Sequence, residues 1–177
     1  MAKQTATFGG GCFWCLDAIF RYTKGISLVM SGYAGGADDN PNYDKVHYNN
    51  SGHVEAVQVE FDDEIIPYEA LLDIFWTMHN PTTPNQDGAN FGEEYRSVIF
   101  YHDDEQKSQA EKSRKTVAAE LYKKPIITAI EPFKNFYQAE EEHQSYYKKN
   151  PSAPYCTIVI DPKIEKIKAR YAQYLKD

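Results

Sequence analysis

The order in which the hydrophobic periodicities switch constrains this chain more than any other feature. A short apolar stretch, Ala6–Phe8, is followed by Gly9–Gly11 and then by "CFWCLDAIFRYTKG", where Phe13, Leu16, Ile19 and Phe20 fall at helical spacing and Gly25 is placed to end the helix. "ISLVMSGYAGG" reads as a strand, and "HVEAVQVEF" (53–61) alternates as a second one, with Glu55, Val57, Val59 and Phe61 on one face. Pro67 opens a helix whose Ala70, Leu71, Ile74, Phe75 and Met78 make one stripe. Strand 95–101 and a helix capped by Asp103 follow. The order strand, helix, strand, strand, helix, strand is that of an α+β fold, a ferredoxin-like two-layer α/β sandwich of split βαβ order.

The remaining segments attach to that unit. Residues 37–52 and 80–94 lack periodicity and read as long functional loops. "IITAIEP" is a further strand, Tyr137–Lys149 a polar helix, "NPSAPYC" a mobile loop, and Pro162 opens a last helix through Leu175, a C-terminal helical extension. With 177 residues, 42% of them hydrophobic, one catalytic domain over 1–177 is expected.

Charge and cysteine usage exclude several functions. A formal net charge of -7, with Lys and Arg mainly at 107–124 and 163–176 on solvated helix faces, argues against a nucleic-acid partner. No apolar run reaches the ~18–20 residues of a membrane span, and "MAKQTATF" lacks the apolar core of a signal peptide. A cytoplasmic monomer is expected. Cys12, Cys15 and Cys156 do not form a secreted disulfide framework, so chemistry explains the Cys12–Cys15 pair better than stapling. Cys156 alone is equally well read as a small buried apolar residue.

"GGGCFWC" (9–15) sets Cys12 at a helix N-terminus, where the helix dipole and unpaired N–H groups favour a thiolate. Phe13 fits the core or a pocket wall equally, and Trp14 is the better wall. Zinc would need a second Cys or His pair, which the five histidines do not supply, so no metal is expected. Glu55, in line with an apolar strand face, is disfavoured as a charge and so suited to deliver a proton near neutral pH; alternatively it turns into water at a strand end. Tyr33 and Tyr95 are amphipathic core residues, or neutral donors to a polar oxygen if their hydroxyls converge.

Taken together, "GGGCFWC", "SGYAGG", "GHVEAVQVEFD", "EEYRS" and "EEEHQSYY" followed by "NPSAPYC" resemble the peptide methionine sulfoxide reductase A family, in that order and over about residues 5 to 160. The resemblance implies reduction of methionine S-sulfoxide, free or in oxidised proteins, without metal or organic cofactor and with recycling by thioredoxin, or by dithiothreitol in its place. It puts Cys12 at the catalytic position, Phe13 and Trp14 at the pocket for the substrate methyl, and Glu55, Tyr33 and Tyr95 where the sulfoxide oxygen is held and protonated. Asn90, expected on the substrate, stands where the family usually has Asp, and Glu94 where it has Gln. Cys15 occurs in part of the family and Cys156 stands at a frequent recycling position, so either is a candidate resolving thiol. The competing reading is a redox-sensing or thiol–disulfide exchange module that toggles Cys12–Cys15 and recognises a partner through Tyr33, Tyr43 and Tyr48.

Overall fold

The computed structural model describes residues 3–177. Its centre is a six-stranded sheet in the order β7-β6-β1-β3-β2-β8, built from β1 (Lys3–Gly9), β2 (Ile26–Ala34), β3 (Val54–Asp62), β6 (Val98–Tyr101), β7 (Ala129–Pro132) and β8 (Phe136–Gln138). All neighbours are antiparallel except β6 and β7. Helices α1 (Phe13–Arg21) and α3 (Tyr68–Met78) connect β1 to β2 and follow β3, and a two-residue hairpin, β4 (Gln86–Asp87) with β5 (Asn90–Phe91), precedes β6.

The alternation read in β3 sorts its side chains as expected. Val57, Val59 and Phe61 join Ala6 and Phe8 of β1, Leu16, Ile19 and Phe20 of α1, and Leu71 and Phe75 of α3 in one fully buried cluster. Phe8 anchors it, its ring 5.7 Å from Phe20 and 5.1 Å from Phe75. Truncating such a ring typically costs ~3–5 kcal/mol. Val54 and Ala56 point to the other face, into a smaller cluster with Ala34, Val98 and Phe100. Asp17, buried on α1, is satisfied by Arg21 at 2.8 Å and by the Ser31 hydroxyl at 3.2 Å.

After β6, α4 (Asp104–Ser113) opens on the Asp103 carboxylate, which accepts from Gln106 N–H at 2.8 Å, as its sequence predicts. It passes through a π-turn, Arg114–Ala118, into α5 (Ala119–Leu121). Among the described residues no helix is long and apolar enough to cross a membrane.

Several segments differ from the sequence expectation. The 37–52 loop contains a short helix, α2 (Tyr43–Tyr48), capped by the Asn42 side chain, and Tyr95 closes a 3-10 turn instead of opening β6. The expected helix Tyr137–Lys149 is instead β8, a 3-10 turn over Glu141–His143 and one helical turn, α6 (Tyr146–Lys149). Its polar side chains bond to remote backbone rather than to their own turn: the Gln144 amide accepts from Ser31 N–H and donates to the Ser31 and Ala139 carbonyls. These bonds strap the segment across β2 and override local helix propensity. "NPSAPYC" is no mobile loop at its end: Cys156 opens a π-turn (Cys156–Ile160) that runs into α7 (Asp161–Tyr171), and it is fully buried.

Candidate active site

The glycine run exists to bring the chain past the hairpin. Gly11 has φ +72°, and a Cβ there would run into the Asp87 carboxylate; its N–H donates to the Tyr95 carbonyl at 3.2 Å. This turn delivers Cys12 to the N-cap of α1.

Cys12 is only 6% exposed. Burial pushes its thiol well above the usual cysteine range, the charges of Glu55 and Cys15 push the same way, and hydrogen bonds from the Trp14 N–H and Tyr155 oppose them. The helix terminus was expected to favour the thiolate. Desolvation outweighs it here, because Cys12 is buried.

Glu55 is 2% exposed and fixed at both oxygens. Its Oε1 accepts from Phe13 N–H, the first free donor of α1, at 3.0 Å, and its Oε2 lies 2.6 Å from His47 Nε2. It does not turn into water at the strand end. Tyr33 is directly opposite Glu55 in the β2–β3 register. Its hydroxyl donates to Glu140 Oε1 at 3.0 Å, while Glu140 Oε2 accepts from Tyr43 N–H. Tyr33 and Tyr95 are both pushed above the usual phenol range by burial first and by neighbouring carboxylates second, and Tyr43 is raised to about 12 by burial and then by Glu55 and Cys12. These phenols stay protonated at neutral pH, and the hydroxyl hydrogen of Tyr33 is given to Glu140.

Phe13 is buried with its ring 5.8 Å from Tyr33 and 5.4 Å from His143. Trp14 is half-buried and lies flat on Tyr146, its Nε1–H donating to His143 Nδ1 at 3.2 Å. Phe13 thus sits in the core, and Trp14 is held by the 140–146 strap. Asn90 donates its Nδ2–H to the Tyr155 hydroxyl at 3.0 Å, and that hydroxyl lies 3.7 Å from Cys15 Sγ.

The second thiol has a charged neighbour. Lys163 of α7 places Nζ 3.7 Å from Cys15 Sγ and 2.8 Å from Asp87 Oδ2. Cys15 N–H bonds the Cys12 carbonyl at 3.2 Å, so the two cysteines share one helical turn. Cys156 sits elsewhere, beside Tyr147 and Asp161. His47, Tyr155, Lys163 and Asp87 were not singled out from the sequence, and Tyr43 only as a surface residue. Glu140, Glu142 and His143 have ligand atoms close enough for a metal ion, yet Glu140 and His143 are engaged with Tyr33, Tyr43 and Trp14.

A cysteine sealed at a helix start beside a buried, doubly anchored carboxylate and a set of protonated phenols can protonate a polar oxygen while sulfur attacks. A family model described as peptide methionine sulfoxide reductase matches residues 4–175. The chain belongs to that family. It is an oxidoreductase that reduces methionine sulfoxide. Peptide methionine sulfoxide reductase MsrA of Sulfolobus acidocaldarius is 47% identical over 163 residues, 92% of this chain and of that protein. The reduced form of Mxr1 from Saccharomyces cerevisiae superposes with TM-score 0.81 at 35% identity, over 87% of this chain and 89% of that one. Mxr1 in complex with Trx2 gives TM-score 0.58 at 28% identity, covering 81% and 84%.

Proposed function

We propose that the reductase acts on the S epimer of methionine sulfoxide, free or in oxidised proteins, as a single catalytic domain over residues 1–177. The observation that supports this reading is the hydrogen bond from the Phe13 N–H to Glu55, one residue along from Cys12. Glu55, helped by Tyr33 and Tyr95, protonates the sulfoxide oxygen, and Cys12 attacks. Oxygen passes to Cys12 as a sulfenic acid, methionine leaves, and a second thiol condenses with the sulfenic acid to a disulfide. Cys15 is the nearer resolving thiol and Cys156 takes part in turnover. Thioredoxin, near about -270 mV, or dithiothreitol then reduces the bridge. The Trx2 complex of the yeast relative supports that partner.

The strand run β6-β1-β3-β2, all antiparallel, supports a ferredoxin-like split βαβ unit. The reductase needs no metal or organic cofactor and works as a cytoplasmic monomer. Incubation with each epimer of a methionine sulfoxide and dithiothreitol, with methionine quantified, tests the proposal; equal reduction of both epimers, or no methionine, would overturn it.

A further inference from the structure

His47 has no part in the chemistry set out so far, yet it is the residue closest to the acid. Its Nδ1 lies 2.7 Å from the Tyr43 carbonyl oxygen and its Nε2 2.6 Å from Glu55 Oε2, with only 7% of its side chain exposed. A carbonyl can only accept, so Nδ1 carries a hydrogen in either charge state. A hydrogen on Nε2 then exists only in the imidazolium. The short contact to Oε2 therefore holds one proton, as imidazolium with carboxylate or as imidazole with carboxylic acid.

We propose that His47 is a positioning residue that shares with Glu55 the proton delivered to the sulfoxide oxygen. This rests on the reductase reading of Glu55 above. The step balances. The S–O bond of the sulfoxide breaks and an S–O bond to Cys12 forms. The methionine sulfur gains two electrons and the cysteine sulfur loses two. The proton given to the oxygen is matched by the one the Cys12 thiol loses, so the pair ends the step protonated as it began. Without His47 the acid would have to retain its proton alone, in competition with solvent.

The groups facing His47 agree with this role. Glu55 faces it from β3, Tyr43 stacks on it at 3.8 Å from its own helix, Tyr48 lies at 6.5 Å, and Tyr95 meets it edge-on at 5.8 Å from the turn that also carries Glu94. Burial opposes a charge on His47, but the hydrogen bond and charge of Glu55, with Glu94 behind them, prevail and raise it above the usual histidine value. The pair thus keeps its proton up to a higher pH than an ordinary imidazole would.

Single-turnover methionine formation should be followed from pH 5 to 9 in the wild type and in His47→Gln, which keeps a donor near Oε2 but cannot titrate. The pH above which the burst slows should fall in the variant, read as a lower rate than wild type on the alkaline side with the acid-side rate kept. Coincident pH profiles would overturn the proposal. Nitrogen-15 NMR of the wild-type imidazole decides the matter if the variant does not fold: Nδ1 should stay protonated throughout while Nε2 titrates above ~6.5. An unprotonated Nδ1, or titration at or below that value, would overturn it. A wild type that forms no methionine would sink the reductase reading instead, and the NMR would still report on the pair.

Discussion

The ammonium of Lys163 stands between two partners from distant parts of the chain, 3.7 Å from the sulfur of Cys15 and 2.8 Å from Asp87. Burial raises the Cys15 thiol, and Lys163 is the largest influence in the opposite direction. A thiol is charged when deprotonated, so a nearby cation lowers its pKa and its removal leaves less thiolate at neutral pH. Lys163→Met should therefore slow closure of the Cys12–Cys15 bridge after one turnover by about tenfold near pH 7. The gap should narrow as pH rises. Rapid-quench counting of free thiols in a Cys156→Ala background measures this, and an unchanged closure rate would leave Lys163 as a mere partner of Asp87.

The sulfur of Cys12 feels the charge of Glu55 and a hydrogen bond from Tyr155 at the helix start. Cys12→Ser should abolish methionine formation even in a single turnover, because a buried hydroxyl cannot replace the thiolate. A surviving burst would move the nucleophile to another residue.

Glu55→Gln keeps an amide at Phe13 N–H and His47 but cannot give up a proton to the oxygen. The burst should fall roughly 10²–10⁴-fold, the range general acid catalysis supplies. Folding stability should change far less, which denaturant unfolding can verify. A wild-type burst rate would mean that Glu55 only fixes the start of α1.

Gly11 takes φ +72° with the Asp87 carboxylate against its α-carbon. In Gly11→Ala the left-handed backbone alone costs ~1–2 kcal/mol, and the collision adds to it. Urea unfolding should show at least that loss, together with displacement of Asp87 from Lys163. An undiminished midpoint would show that the turn relaxes freely.

What could be read beforehand was local or periodic. The alternation of β3 placed Glu55 with Val57, Val59 and Phe61, and the glycine-to-helix transition placed Cys12 at a cap, because both are patterns of neighbouring residues. The long-range partners left no such trace. Lys163 reaches Cys15 across 148 positions and Tyr155 across 140. His47 stood in a stretch without periodicity, where a helix of six residues shows less than two turns of pattern. Tyr137–Lys149 misled for a related reason: Glu140, His143 and Gln144 are polar as a surface helix would be, yet each is committed to a partner on β2 or α1.

The last prediction concerns Cys156. Family resemblance gives it a recycling role, and the fold holds it fully buried beside Tyr147 and Asp161, with Cys15 much better placed to meet Cys12. A bridge needs Cα atoms within about 7 Å, which one helical turn supplies to Cys12 and Cys15 once the cap relaxes. Cys156 can reach that bridge only if the π-turn at Cys156–Ile160 opens, and such widened turns are points where a helix yields. We expect a first bridge between Cys12 and Cys15, followed by exchange onto Cys156 and reduction by thioredoxin. Cys156→Ser should leave the methionine burst and the first bridge intact while slowing thioredoxin-dependent turnover, and mass mapping should find only the Cys12–Cys15 bridge in that variant. Steady-state turnover equal to wild type with thioredoxin would remove Cys156 from the mechanism and leave Cys15 as the resolving thiol.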